Sequence, residues 1–314
     1  MVKTINMDKS ILLERLYQKL LSKKTKEKSE RVILWIALVS FIIHLLMIGL
    51  IHFNIITINE PSSLLNNPIS AIYTPFSFIL VYEVYLLIYY LPKSTSTYIS
   101  KQYEIISLII IRRLFKDLSD LSLSSNWFNI KNDLQFTYDL IASVFLFYLI
   151  YLFHVQRTKV YRTIKNSENQ SSSISKFINA KKWIATALVP VLLIIAIYSF
   201  LSWSITIFQP NETTAVSFKN INNIFFEQFF NILFIADVIL LLISFFHTDE
   251  FHKVIRNSGF IISTILIRIS FSVSGIINNI LIISAILFGL SILFIHNKFE
   301  KKLAEENQEI NEIE

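Results

Sequence analysis

Residues 82–120 read YEVYLLIYYLPKSTSTYISKQYEIISLIIIRRLFKDLSD. An apolar helical run carries Glu83 near its middle, a polar turn opens at Pro92-Lys93, and a second helical run carries Arg112, Arg113 and Lys116. An ionised group at hydrocarbon depth costs about 2.5–3.5 kcal/mol on insertion scales, so it faces a partner or a wet cavity rather than lipid. Residues 236–272, ADVILLLISFFHTDEFHKVIRNSGFIISTILIRISFS, repeat the arrangement more weakly, with Asp237 and Arg268 in the matching places. The two stretches together predict an all-α, polytopic helical membrane protein.

Composition agrees. Of 314 residues, 53% are hydrophobic and 27 are Phe, and the mean hydropathy is +0.53. That is more apolar than a soluble domain with a polar exterior tolerates. The absence of Cys excludes disulfides, thiolate metal sites and Cys nucleophiles together. A formal charge of +6 would suit nucleic acid, but the basic residues flank apolar runs. The expected partner is therefore a lipid bilayer and no nucleic acid, with a homo-oligomer left open. Met1 to Arg31 is polar and has no small-residue cleavage site, so no signal peptide is expected there and the first apolar run should stay as an anchor.

A spanning helix needs about 20 apolar residues. Eight runs are read as spans: Val32–Phe53, Ala71–Leu91, Tyr103–Leu121, Phe136–Phe153, Trp183–Ser204, Phe225–Phe246, Gly259–Ile276 and Ile277–Ile295. The third and seventh carry the arginines and fit the length rule least well. The organisation expected is a basic arm over 1–31, a four-helix membrane unit over 32–153, a basic linker over 154–182, a second four-helix unit over 183–297 and a charged tail over 298–314. In the arm, Leu13, Leu16, Tyr17 and Leu20 recur at helical spacing opposite Lys9, Lys19 and Lys23, which fits either a short amphipathic helix on the membrane face or a solvated basic arm. If all eight runs cross from a cytoplasmic N-terminus, the inner segments hold 23 of the 29 Lys and Arg, and the outer loops hold Lys131 and Lys219. By the positive-inside rule this predicts an inner-membrane protein with both termini cytoplasmic. The seventh and eighth runs abut, so their turn must be very tight. Pro190 lies inside the fifth run, where a kink is tolerable in a membrane, and Asn211-Glu212-Thr213 matches a glycosylation sequon.

Laying one half on the other pairs Glu83 with Asp237, Lys101 with Arg256, Arg113 with Arg268, and Phe153-His154 with Ile295-His296. Four spans per copy would give two parallel units related by a pseudo-twofold along the membrane normal.

On a helical wheel of the third run, Lys101, Gln102, Arg112, Arg113, Lys116, Asp117, Ser119 and Asp120 share one arc, opposite Ile110, Ile111, Leu114, Phe115 and Leu118. Arg112 lies roughly 16 Å along the axis from Lys101, and Glu83 roughly 13 Å from Pro92 on the antiparallel neighbour. The depths match, so Glu83 is expected to pair with Arg112 or Arg113, and Asp237 with Arg268 by the same arithmetic. Such pairs either line an ion pathway or fix helix packing.

A four-helix unit with acids on an inner helix and arginines on a neighbour resembles a voltage-sensing domain. Those domains carry arginines every third residue on the fourth helix, whereas Arg112, Arg113 and Lys116 sit on the third without that period, so membership is not assigned. His44 and His52 lie within the first span, and His154, His247 and His296 at helix ends, where the C-terminal dipole favours them. No cofactor or metal is expected from this pattern. Tyr82, Tyr85, Tyr89 and Tyr90 fit an interfacial belt or a cavity lining. There is no Gly-rich phosphate loop, HExxH or GxSxG, so an enzyme is not expected. The reading reached is a small-ion channel or transporter, for an inorganic ion or a proton, using Glu83, Arg112, Arg113, Lys116, Asp237 and Arg268. The rival is a non-conducting scaffold or signalling component that binds a partner at its cytoplasmic face.

Overall fold

A computed structural model describes residues 2–55, 68–119, 131–164, 172–208, 214–246, 250–273 and 275–313. The sequon, His247, Asp120 and most of the first outer loop lie outside the described residues. Among the described residues the regular structure is all helical. The helices are α1 (Val2–Leu20), α2 (Lys23–His52), α3 (Tyr73–Tyr90), α4 (Thr95–Ser119), α5 (Lys131–Ile164), α6 (Ser172–Phe208), α7 (Thr214–Phe245), α8 (Phe251–Phe271) and α9 (Ile276–Ile313).

Local sequence explains where several of these start and stop. Ser22 is extended and its Oγ accepts the Thr25 N–H at 3.1 Å, capping α2 directly after α1. Pro68 opens a 3-10 turn that leads into α3. Pro92, which has no N–H and cannot continue a helix, follows the end of α3. Ser94 Oγ accepts the Thr97 N–H at 3.3 Å at the start of α4. Helix α6 continues through Pro190. The tight turn expected between the last two runs falls where α8 ends at Phe271 and α9 begins at Ile276. Gly275 holds φ 80, a left-handed value that favours glycine, and Asn278 reaches back to donate to the Ser270 carbonyl.

Polarity runs inside out. Apolar side chains on α2 (Trp35, Leu38, Ile43, Leu46), α5 (Ile141, Val144, Tyr148) and α6 (Ile194, Ile197, Tyr198) face outward, while Glu83, Asp139, Asp237 and Asn279 are buried. Water would penalise such a surface and lipid favours it. Among the described residues, six stretches are long and apolar enough to cross a membrane: Ile11–His52, Asp133–Thr158, Ser175–Tyr198, Gln228–Phe245, Phe251–Phe271 and Ile276–Glu306. Thr74–Tyr90 is a shorter apolar helix, and α4 carries Glu104, Arg112, Arg113, Lys116 and Asp117 within its length. Of the eight expected spans, six meet the length and apolarity requirement among the described residues. The chain has the helices of a multi-pass membrane protein.

The helices gather into two compact units that interleave along the chain. The first comprises Met1–Pro92, Ile109–Phe136 and Lys181–Leu233; the second comprises Lys93–Leu108, Thr137–Ala180 and Phe234–Glu314. Both draw on α4, the first unit on its C-terminal part and the second on its N-terminal part.

In the first unit the basic arm is fastened down. Tyr85 Oη donates to the Leu20 carbonyl at 2.9 Å, Tyr82 Oη to Glu30 Oε2 at 2.8 Å, and Lys182 Nζ to Glu14 Oε2 at 2.8 Å. Lys182 also lies over the Tyr17 ring. Leu13 is buried and Leu16 is exposed. The arm is therefore a helix held by polar contacts, and two of the four tyrosines of the second run anchor its end and the start of α2. His44 hydrogen-bonds Thr74 Oγ1, tying α2 to α3.

In the second unit the core is aromatic. Tyr103 packs against Phe153, ring centres 5.0 Å apart and near perpendicular, and Phe153 against Phe260 at 5.8 Å. Association of helices in lipid depends on close packing and interhelical hydrogen bonds, not on water exclusion. Two glycines permit that packing. A Cβ on Gly259 would sit 2.8 Å from Ile292 Cγ1, and one on Gly289 would sit 1.9 Å from Tyr103 Oη.

Candidate functional site

Among the described residues, buried polar groups collect around Glu83 in the first unit and at several points in the second.

The first centres on Glu83, in the middle of α3 and 4% exposed. Arg112 Nη2 donates to Glu83 Oε2 at 2.6 Å, and its Nη1 donates to the Phe76 carbonyl at 3.3 Å. The Phe76 and Phe115 rings pack 5.3 Å apart beside it. Of the two arginines expected to reach Glu83, Arg112 makes the contact. Arg113, about 100° further round the helix, is half-buried. Lys116 belongs to α4, but its side chain lies outside the described residues. A guanidinium only donates and does not lose its proton, so Arg112 is matched to the ionised form of Glu83.

The second centres on Asp237, in the apolar C-terminal part of α7 and 6% exposed. Tyr98 Oη donates to Oδ1 at 2.9 Å and Gln102 Nε2 to Oδ2 at 3.2 Å. Tyr98 and Gln102 are four apart, so the first turns of α4 present both donors on one face. Arg268, the expected partner of Asp237, instead lies with its guanidinium 5.1 Å from the centre of the Phe234 ring, a cation–π arrangement. The likeness of the two stretches in sequence therefore does not carry over to the surroundings of their acids. Nearby in the same unit, Tyr103 Oη and Ser263 Oγ are 2.7 Å apart, and Ser263 donates to the Ala285 carbonyl at 2.6 Å. A further buried acid, Asp139 on α5, accepts from Asn279 Nδ2 on α9 at 2.6 Å. Sequence reasoning missed this pair, because Asp139 and the Asn278-Asn279 doublet lie in apolar runs whose facing is not encoded locally.

The third place is where α8 begins and the apolar part of α9 gives way to its charged tail. His252 Nε2 lies 3.1 Å from Glu300 Oε1, and His296 Nε2 lies 3.7 Å from the same oxygen. The two imidazoles stack with centres 5.3 Å apart. Arg256 Nη1 lies 2.9 Å from His296 Nε2, and its Nε and Nη2 donate to Asn257 Oδ1. Glu250 Oε2 is 3.3 Å from His252 Nε2. Both imidazoles are buried. His252, His296 and Glu300 bring one possible ligand atom each to within 4.8 Å of one another. His252 was not singled out from sequence, although a local signal exists: His252/Arg256 and His296/Glu300 are both spaced i,i+4.

No protein family, no curated protein and no solved structure matches this chain.

Proposed function

We propose that the protein moves a small ion across the membrane, with Asp237 as the proton-carrying carboxylate and Glu83–Arg112 as a fixed structural pair. The observation that carries this reading is the difference between the donors on the two acids. Tyr98 can donate or accept through its hydroxyl, and Gln102 through its amide N–H or its carbonyl. Both can therefore satisfy Asp237 ionised or protonated, by rotation of the hydroxyl and a turn of the amide. Arg112 can satisfy only an ionised Glu83. A buried carboxylate inside a membrane helix is costly, and such groups mark ion and proton pathways. Tyr98 and Gln102 permit exchange of a proton at Asp237, and Arg112 does not at Glu83.

In this reading Thr74–Tyr90 and Thr95–Ser119 also cross, completing eight passes in the inner membrane with both termini cytoplasmic. The gathering of Lys and Arg in the arm, the 154–182 linker and the tail supports that orientation. The experiment is proton flux into proteoliposomes under an imposed membrane potential, followed with an internal pH-sensitive dye. Flux in the parent that is abolished by Asp237→Asn and retained by Glu83→Gln/Arg112→Gln supports the assignment. Absence of parental flux, or flux unchanged by Asp237→Asn, refutes it.

A further inference from the structure

We infer that His252, His296 and Glu300 form a binding site for a divalent transition metal, zinc above all, at the α8–α9 end of the second unit. The donor set is two imidazoles and one carboxylate. That combination suits zinc and its borderline neighbours, and three protein ligands leave a fourth position for water or a further group. The distances are close to what an ion requires. Bonds of about 2.0–2.2 Å to tetrahedral zinc put neighbouring ligand atoms about 3.3–3.6 Å apart. Here two of the separations are 3.1 and 3.7 Å, and all three ligand atoms fall within 4.8 Å. Small rotations of side chains bring the set onto an ion without moving either helix.

Two independent features support the site. His252 and His296 are 9% and 3% exposed, so both imidazoles are held in place beside the carboxylate rather than free in water. The site is also wet on one side. Glu300 is partly exposed and Glu250 and Lys253 more so, which gives an ion a path in from water. Glu250, 3.3 Å from His252 Nε2, is placed to take the fourth position.

Arg256 works against the site. Its guanidinium beside His296 sets a permanent positive charge next to the ion, and like charges close together repel. Arg256 thus holds the affinity down, and metal binding moves it away from His296 toward Asn257, whose Oδ1 it already contacts through two nitrogens. The charged tail of α9 from Lys298 onward begins at this point, so an ion here clamps the tail to α8.

The test uses full-length protein carrying a tag without histidine, purified in detergent and titrated with zinc against a chromogenic chelator, with bound metal counted by elemental analysis after dialysis. The expected result is one zinc per chain with a Kd at or below micromolar. His252→Ala and His296→Ala should each remove it, Glu300→Gln should weaken it at least tenfold, and His44→Ala and His154→Ala should leave it unchanged. Arg256→Gln should tighten binding at least tenfold, a result that a merely structural role for the cluster does not give. Cobalt bound to the parent should show visible d–d absorption of a His-ligated site. No stoichiometric zinc in the parent overturns the proposal, whether or not the histidine variants fold. Zinc that survives in the folded His252→Ala/His296→Ala double variant overturns it equally.

Discussion

Removing Arg112 tests the packing argument most sharply, because the structure allows its cost to be bracketed. The Arg112–Glu83 contact is 2.6 Å long, with side chains 11% and 5% exposed, and Arg112 also holds the Phe76 carbonyl. Deleting one member of a buried ion pair costs about 3–5 kcal/mol in soluble cores, because the other charge is left uncompensated. Interhelical hydrogen bonds in membranes contribute less, about 0.6 kcal/mol on average and up to about 1.7, since the unfolded chain in lipid also finds partners. Between these limits Arg112→Gln should cost about 2–3 kcal/mol. Glu83→Gln/Arg112→Gln should cost only about 1 kcal/mol, because it leaves no lone charge. The coupling between the two positions is then about 2 kcal/mol, and a swap to Glu83→Arg/Arg112→Glu should recover part of the single-variant loss. The assay is equilibrium unfolding in mixed micelles with rising SDS, followed by Trp fluorescence and helical circular dichroism. Single variants within about 0.5 kcal/mol of the parent, or losses that add in the double variant, would refute the pairing as a packing element.

Three further outcomes follow from the packing. Gly289→Ala puts a methyl 1.9 Å from Tyr103 Oη in a fully buried site and should cost about 1–3 kcal/mol. Tyr103→Phe in the same chain should restore part of that, as read by the thermal midpoint in detergent. Gly275→Ala forces a side chain onto φ 80 in the α8–α9 turn and should cost about 1–2 kcal/mol in the same unfolding assay. Ser22→Ala removes the cap of α2 at about 1 kcal/mol. That loss should appear as faster amide exchange over residues 23–26, with α8 and α9 unchanged.

Much of this was legible in the chain itself, for reasons that particular residues make clear. Matching depths narrowed the partner of Glu83 to Arg112 or Arg113, because a hairpin of antiparallel helices fixes how far each residue lies from the turn, and Arg112 makes the contact. The abutting seventh and eighth runs demanded a tight turn, and Gly275 with Asn278 supplies it. The same arithmetic did not find the surroundings of Asp237. Its donors, Tyr98 and Gln102, come from a helix more than 130 residues earlier, and a helical wheel gives the polar face of a helix without saying which neighbour meets it. The arm shows the same limit: its amphipathic pattern was plain, but the tyrosines that hold it lie on α3. Length and charge conflict at Thr74–Tyr90 and along α4, so the step from six spans to eight is not carried by apolarity alone. His252 escaped notice because its partners His296 and Glu300 are on the adjacent helix.

The claim on which the function rests is that Asp237 exchanges a proton while its neighbours satisfy both forms. Infrared difference spectroscopy of the protein in lipid, recorded across a pH titration, addresses this directly. A carbonyl band of a protonated carboxylic acid should grow in as pH falls, vanish in Asp237→Asn, and persist in Glu83→Gln. A Tyr98→Phe/Gln102→Leu variant should shift that band and its midpoint. A spectrum with no such band, or one that Asp237→Asn leaves intact, would contradict the assignment of Asp237 as the proton carrier.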